Sequence, residues 1–226
     1  MFSKRAQLIA HQVPTDAKGA VLVLPGGSMK SKGRYFSIVE LGLRPLLARL
    51  AEQEGLAVYL LRYRVRGWNG DDADSLADTR WALDEIVRLH GQVPVALVGN
   101  SLGGRAAYHA AGHPSVVSVT GIAPALPSDD PVTQLAGRQC LILHGDKDHS
   151  EASAAMSLAY ARRARAITTL ARFEIPGAGH FLLRGSRECY MATTEFVTAT
   201  LARTPLPPLI AQAQSGDLCS PLPLDV

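Results

Sequence analysis

The sequence predicts an α/β fold with a doubly wound, mostly parallel sheet of about six or seven strands and helices on both faces. Its apolar runs are short and show no polar alternation, which is typical of strands buried on both faces. Longer segments with helical patterns separate these runs, so strand and helix alternate along the chain. The apolar runs span 19–28, 55–64, 94–101, 116–126, 139–148 and 168–180.

The helical segments have recognisable ends. The segment 74–91 begins with Asp74 and Ser75 and ends at Gly91, a residue that commonly follows a helix. In the first segment Pro45 is expected to start the helix proper, because proline fits the first helical turn. The predicted helical segments are 36–55, 74–91, 102–112, 151–166 and 186–203.

The chain is expected to form a single domain over residues 1–203, followed by a tail over residues 204–226. The tail contains five prolines and little periodicity, so it is predicted to be loosely ordered. An alternative is that the part from Leu206 to Ile210 docks on the surface near the functional site.

Composition excludes several classes of protein. The chain has 226 residues, 47% of them hydrophobic, which is enough for one sizeable core. Its net charge of +3 comes without a basic stripe, so we expect no nucleic-acid partner. No segment approaches the roughly 20 apolar residues of a membrane span, and the N-terminal residues do not resemble a signal peptide. We therefore expect a cytoplasmic protein with no membrane association.

The cysteines give no sign of a metal site or a disulfide framework. The three cysteines, Cys140, Cys189 and Cys219, are widely spaced and odd in number. No cofactor or metal is expected. A homodimer is one open possibility, because the sequence does not define the oligomeric state.

A candidate nucleophile follows the third apolar run. The stretch Gly99-Asn100-Ser101-Leu102-Gly103 fits the pattern G-x-S-x-G between a predicted strand and a predicted helix. Such a turn forces its serine into a strained backbone conformation, and glycine at the flanking positions avoids clashes. Ser101 would then stand above the sheet at the positive end of the helix. The alternative is an ordinary glycine turn.

An acid and a base are expected beyond two later strands. Asp146 and Asp148 follow the fifth run, and His180 follows the sixth. Asp148 lies further beyond the strand end, so we favour it as the acid and expect Asp146 to stabilise its own turn. The order Ser101, Asp148, His180 is the triad order of this architecture. His144 is predicted to be a packed histidine at a strand end.

The turn after the first apolar run is a candidate oxyanion hole. An oxyanion requires N–H donors that already point at it. The amide of Leu102, directly after the nucleophile, is one candidate. Gly27 and Ser28 are the candidates for the second donor, and the sequence does not decide between them.

These motifs together resemble the α/β-hydrolase superfamily, in particular its small, lidless bacterial serine hydrolases. The resemblance rests on GNSLGG (99–104), HGDKD (144–148), GAGH (177–180) and PGG (25–27), and it covers about residues 21–203. It implies acyl-transfer chemistry without a cofactor, in which Ser101 is the nucleophile, His180 the base, Asp148 the acid and Leu102 an oxyanion donor.

Two features qualify the resemblance. Many relatives have histidine directly before the serine, whereas this chain has Asn100. The connection 124–138, where relatives with a lid insert helices, is too short for a cap domain. We therefore expect an open site walled by the loops 64–74 and 124–131. Asn100, Trp68 and Arg64 are the candidate substrate-binding residues, although Trp68 fits core packing and Arg64 fits a salt bridge with the acidic stretch 71–78.

The leading hypothesis is a serine hydrolase that cleaves the ester or thioester of a small or medium acyl substrate through an acyl-enzyme intermediate. One alternative is a recruited hydrolase fold that performs acyl transfer, C–C bond chemistry, dehydration or cyclisation. Another is a binding protein that retains the fold without catalysis.

Overall fold

The structure is a computed structural model that describes residues 5–33 and 38–224. Residues 1–4 of the predicted domain, residues 36–37 of the first predicted helix and residues 225–226 of the tail lie outside the described residues. The described residues form one sheet in the order β1-β3-β2-β4-β5-β6-β7. Its strands are β1 (Gln7–Gln12), β2 (Gly19–Leu24), β3 (Leu56–Arg62), β4 (Val95–Asn100), β5 (Val116–Ile122), β6 (Gln139–Gly145) and β7 (Thr169–Ile175).

The predicted fold class is confirmed. Each of the six apolar runs contains a strand, and β2 to β7 pair in parallel with their neighbours. The additional strand β1 pairs antiparallel with β3 at one edge of the sheet. Its sequence, QLIAHQ, is largely exposed and lacks the apolar run by which the other strands were recognised.

Helices cover both faces of the sheet. They are α1 (Ile38–Ala51), α2 (Asp74–His90), α3 (Leu102–Ala110), α4 (Ala154–Ala164), α5 (Ser186–Ala202) and α6 (Pro208–Ser215). Side chains of α2, α3 and α4 pack into one core cluster, which includes Leu22 of β2. Side chains of α1, α5 and α6 pack into a second cluster, which includes the adjacent Val23. Neighbouring strand residues thus face opposite cores, as alternation along a strand requires.

Helix α1 begins earlier than predicted. Pro45 lies inside the helix instead of at its start. An internal proline removes one backbone hydrogen bond and costs about 3 kcal/mol. Leu43, Leu46, Leu47 and Leu50 of this helix are all buried against the sheet. Burial of each such side chain contributes roughly 1.5–3 kcal/mol, so the packing outweighs the proline.

The C-terminal tail is ordered, which corrects the prediction. Helix α6 places Ile210 and Ala213 in the second core cluster. The guanidinium of Arg165 donates to the carbonyls of Ala213 and Gly216, each at 2.7 Å. Further on, the backbone of Leu222 donates to Glu174 of β7 at 2.7 Å. Apolar residues spaced between the prolines therefore anchor the tail along β7.

The tail does not approach the functional site through Leu206 to Ile210, so that alternative is also wrong. Helix α5 ends with Leu201 beside Gly19, at the amino-terminal end of β2. Helix α6 follows directly, and the Gln214 side chain lies 3.4 Å from that of Gln139, the first residue of β6. The tail helix therefore packs at the edge of the sheet opposite the strand ends that carry the predicted site residues.

The connection between β5 and β6 contains no cap domain. Its regular structure is one short 3-10 turn, Thr133–Leu135. Arg163 of α4 donates to the carbonyls of Ser128 and Asp130, and the Tyr160 hydroxyl donates to Pro131 at 2.8 Å. The connection is thus held against the body of the protein. Within residues 5–33 and 38–224, no helix has the length and apolar character that crossing a membrane requires.

Candidate active site

The turn between β4 and α3 has the strained geometry that its glycine pattern predicts. Ser101 adopts φ 51° and ψ −117°, in the positive-φ region that non-glycine residues rarely occupy. A side chain at Gly99 would place its Cβ 2.3 Å from the carbonyl oxygen of Gly103. A side chain at Gly103 would lie 2.1 Å from the carbonyl oxygen of Leu24. Strand, turn and helix approach so closely that only glycine fits at both positions.

Backbone hydrogen bonds hold this turn to the neighbouring strand. The Ser101 N–H donates to Ile122 of β5 at 3.0 Å, and the Ser101 carbonyl accepts from Ala125 at 3.0 Å. The same carbonyl accepts from Gly104 in the first turn of α3 at 2.9 Å. Ser101 is therefore fixed from both sides, which stabilises a backbone conformation that costs on the order of 1–3 kcal/mol by itself.

Ser101, His180 and Asp148 lie in one hydrogen-bonded chain. The Ser101 Oγ lies 3.0 Å from His180 Nε2, and His180 Nδ1 lies 2.7 Å from Asp148 Oδ2. The His180 side chain is 22% exposed, whereas that of Asp148 is 1% exposed. The structure thus brings together the three residues that were predicted from separate strand ends, with the serine side open to solvent.

The carboxylate of Asp148 is the most heavily hydrogen-bonded group of the site. Its Oδ1 accepts the backbone N–H of Ser150 at 3.0 Å, and its Oδ2 accepts from both His180 and His144. Burial alone would raise the pKa of Asp148, but hydrogen bonds from Ser150, His180 and His144 outweigh it and lower the pKa to about 2. Asp148 is therefore ionised at neutral pH.

The other aspartate of this turn has a different role. Asp146 Oδ1 accepts the N–H of Gly177 at 2.7 Å, and the next residue, Lys147, donates its N–H to Ala178 at 2.9 Å. Asp146 therefore connects the turn after β6 to the loop that carries His180. The expectation that Asp148 and not Asp146 faces the histidine agrees with the geometry. Asp146 was expected to stabilise its own turn, but its hydrogen bond goes to the loop at Gly177.

The oxyanion candidates differ in the availability of their N–H groups. The N–H of Ser28 donates to Arg66 at 3.1 Å, so it does not point into the site. Among the described residues, no acceptor is found for the N–H of Gly27 or Leu102. The Gly27 backbone lies against Arg66, where a Cβ would be 2.3 Å from the carbonyl oxygen. Gly27 and Leu102 are therefore the candidate donors, and Ser28 is not.

The loop 64–74 supports this turn instead of lining the site. Trp68 is only 6% exposed, stacks under the Arg105 guanidinium at 4.1 Å and contacts His109. Arg64 donates to the Asp78 carboxylate through its backbone N–H and its guanidinium. Packing engages Trp68 and an ion pair engages Arg64, which are the alternatives to substrate binding that the sequence offered, and neither residue lines the cavity at Ser101.

The Asn100 side chain is also not placed for the predicted role in substrate binding. Its Nδ2 donates to the carbonyl of Ile122 at 3.1 Å, which links the ends of β4 and β5. Asn100 does not line the cavity beside Ser101. The side chain before the serine therefore stabilises the turn.

The cavity at Ser101 has a volume of about 280 Å³. Its walls include Ala125, which belongs to the predicted wall 124–131, and four residues that were not foreseen, Met29, Ser150, Glu151 and Ala152. The segment 150–152 was predicted only to contain the start of the helix 151–166, which begins at Ala154 in the structure. Its position directly after the acid turn was the available signal, because residues beyond a strand end commonly line such sites.

The residues after His180 differ from expectation as well. Three apolar residues, Phe181, Leu182 and Leu183, follow the histidine, and such a run would be expected to pack against the core. Leu182 is buried, but Phe181 is 84% exposed and Leu183 is 91% exposed. The loop is therefore anchored by one apolar side chain, and two others face solvent beside the histidine.

In the part of the chain that the structure describes, no group of three or more His, Cys, Asp or Glu is placed to hold a metal ion.

Comparisons with known proteins give a family and a fold. A model of the Alpha/beta hydrolase family matches residues 21–139, slightly more than half of the 226-residue chain. No curated protein matches the sequence.

Solved structures resemble the fold at low sequence identity. Est1E from Butyrivibrio proteoclasticus with ferulic acid bound is 16% identical, with a TM-score of 0.66 over 88% of this chain and 95% of its own. A monoacylglycerol lipase from Paleococcus ferrophilus is 15% identical, with a TM-score of 0.62 over 87% and 99%. XC6422 from Xanthomonas campestris, an α/β serine hydrolase without a lid, is 19% identical, with a TM-score of 0.58 over 90% of each chain.

Proposed function

The chain belongs to the α/β-hydrolase family, and we propose that it is a serine hydrolase that cleaves a carboxylic ester or thioester. The observation that carries the proposal is the hydrogen-bonded chain from Ser101 Oγ through His180 to Asp148 Oδ2, with separations of 3.0 and 2.7 Å. Both distances lie within the reach that proton transfer and histidine orientation require.

His180 acts as the base in this proposal. The ionised Asp148 accepts a hydrogen bond from Nδ1, so the neutral ring presents the lone pair of Nε2 to Ser101. Nε2 takes the hydroxyl proton as Oγ forms a bond to the acyl carbon. The electron pair of the carbonyl moves onto its oxygen, which becomes the oxyanion of a tetrahedral intermediate.

The oxyanion is stabilised by the N–H groups of Leu102 and Gly27, which have no acceptor among the described residues. The positive end of α3 adds to this stabilisation, since Ser101 directly precedes the helix. When the intermediate collapses, His180 gives its proton to the leaving alcohol or thiol. Water then attacks the acyl-enzyme with His180 as base, and the acid is released.

The cavity favours a short, uncharged acyl group. Its volume of about 280 Å³ lies at the lower end of the usual range for ligand sites, roughly 300–1,000 Å³. Glu151 contributes a carboxylate to the cavity wall, and neither lysine nor arginine lines it among the described residues. An anionic acyl group would therefore meet the Glu151 charge without a cation from the described wall.

The comparisons support a hydrolase without naming the substrate. Est1E binds ferulic acid, and the other protein is named a monoacylglycerol lipase. Both proteins are similar to this chain in fold, so neither identifies its substrate. No observation favours either alternative, the recruited hydrolase fold or the binding protein without catalysis. The Asn100 side chain, which motivated a recruited fold, is bonded to Ile122, and the close approach of Ser101 to His180 favours catalysis over simple binding.

The test is hydrolysis of p-nitrophenyl acetate, butyrate and octanoate and of the butyryl thioester of N-acetylcysteamine, by wild type and by Ser101→Ala. We expect turnover that is highest for the short esters and falls about a thousandfold or more in the variant. Equal activity of the two proteins, or none in wild type across the series, would contradict the proposal.

A further inference from the structure

His144 is a buried histidine that the proposed reaction does not use. It lies near the end of β6, and its side chain is 0% exposed. Its Nε2 is 2.9 Å from Asp148 Oδ2, the same oxygen that lies 2.7 Å from His180 Nδ1. Two imidazole rings therefore share one carboxylate oxygen, one from the solvent side and one from the core.

The surroundings of His144 determine its protonation and its tautomer. Burial lowers the pKa of His144 to about 4, so the ring is neutral at neutral pH even beside Asp148. A neutral imidazole has one N–H, and the contact with the ionised Asp148 places it on Nε2. His144 Nδ1 is then an acceptor, and it is buried with no hydrogen-bond partner among the described residues.

The charged groups around the ring keep it neutral. Arg172 of β7 is fully buried, and its positive charge opposes a proton on His144, as does His180. Glu174, which is paired in register with His144, is hydrogen-bonded at 2.9 Å to Arg172. Asp148 is thus the partner that the N–H of His144 faces.

A second donor on Oδ2 has a chemical consequence. A hydrogen bond to an ionised carboxylate draws charge toward the donor and fixes the direction of the carboxylate. Less charge on Oδ2 means a weaker attraction for a proton on His180. The His180 ring would therefore lose its proton, and become able to act as a base, at a lower pH than with His180 alone on that oxygen.

We propose that His144 is a positioning residue: its Nε2–H holds Asp148 Oδ2 toward His180 and lowers the pH above which His180 is a free base. The inference rests on the proposed function, since it concerns the base of that reaction. It extends the site by one residue on the core side of the acid.

The test compares His144→Phe, which keeps a planar ring without a donor, with His144→Gln, which keeps an N–H at a similar distance from Cβ. The readout is the acidic limb of the kcat/KM profile for a short ester. We expect the midpoint of this limb to rise by roughly 0.5–1 pH unit in His144→Phe, a three- to tenfold change in proton affinity, and to stay near wild type in His144→Gln.

Unchanged midpoints in both variants, or equal shifts in both, would overturn the inference. A role in packing alone would lower the thermal midpoint or kcat of the variants without moving the limb. The His180 ring titration, followed by NMR in Ser101→Ala with and without His144→Phe, needs no turnover. It therefore separates a failure of this inference from a failure of the proposed hydrolase activity.

One measurement needs no substitution at all. Nitrogen chemical shifts of His144 in wild type near neutral pH report which ring nitrogen has the proton. The inference requires the proton on Nε2, and a proton on Nδ1 would overturn it even if His144→Phe does not fold.

Discussion

The two halves of the site are held together by different forces. The turn around Ser101 is shaped by backbone contacts, since a Cβ at Gly99 or Gly103 would lie 2.3 or 2.1 Å from a carbonyl oxygen. The turn around Asp148 also contains one such glycine, Gly145, whose Cβ would lie 2.2 Å from the Ala178 carbonyl oxygen. The Asp148 carboxylate itself is held by hydrogen bonds from His144, His180 and the Ser150 N–H. The first half therefore depends on the absence of side chains, and the second depends in addition on which side chains are present and protonated.

This difference predicts different consequences for substitutions. A change in the serine turn should act through folding, because backbone atoms cannot move apart without disrupting strand and helix. Substitution of Asp148 or His144 in the acid turn should act mainly through protonation and orientation.

The largest effect is expected from Asp148→Asn, measured as kcat/KM for p-nitrophenyl butyrate. An amide at this position would favour the wrong His180 tautomer, so we expect a loss of about a thousandfold or more. Asp146→Asn is the matched control, because its amide oxygen still accepts the Gly177 N–H. Activity of this control should stay within about tenfold of wild type. Similar losses in both would contradict the assignment of Asp148.

In the serine turn, Gly103→Ala should reduce the free energy of unfolding by about 3 kcal/mol or more, because its Cβ meets the Leu24 carbonyl. The control is Gly42→Ala in α1, where a Cβ would meet no atom within 4 Å. This helical substitution should be neutral or stabilise by up to about 1 kcal/mol. Chemical denaturation of both variants provides the measurement. A Gly103→Ala protein as stable as wild type would show that the turn is looser than described.

In the acid turn, the free energy of unfolding should depend on pH because His144 is buried. The unfolded chain binds a proton on this residue below pH 6.5, whereas the folded protein does so only near the lowered pKa of about 4. Above pH 6.5 the free energy of unfolding therefore includes the full contribution of neutral His144. It decreases by about 3 kcal/mol as the pH falls toward 4.

His144→Gln should remove that part of the slope and leave the stability near pH 8 almost unchanged, because glutamine does not titrate. Urea unfolding of both proteins between roughly pH 4 and 8 measures the difference. Parallel curves for wild type and variant would show that His144 does not resist protonation in the folded protein.

The same contrast explains what could be predicted from the sequence. The strands and most helices follow from apolar periodicity, and the serine turn follows from glycine spacing, because both depend on local backbone constraints. The prediction for the tail was wrong because its prolines were read as a sign of disorder, whereas Ile210 and Ala213 pack beside β7. The predicted start of α1 was wrong because packing against the sheet stabilises the helix despite its internal Pro45.

Side-chain partners were the least predictable part of the site. The partner of Arg64, Asp78, lies within the acidic stretch 71–78 that the sequence offered as an alternative to substrate binding. The partner of Trp68, Arg105, lies in another segment of the chain and was not foreseen. Only the folded arrangement determines whether such a side chain is free or engaged. For the same reason, the contact of His144 with Asp148 was not foreseen, although both residues lie in one short motif.

The nucleophile is identified most directly by the site of covalent labelling with a small fluorophosphonate, located by mass spectrometry of the digested protein. We expect one adduct, on Ser101, in wild type near neutral pH. We expect no adduct in Ser101→Ala and much slower labelling in His180→Ala, because the hydroxyl would lack its base. An unlabelled wild-type protein, or an adduct on another residue with Ser101 unmodified, would contradict the proposal that Ser101 is the nucleophile.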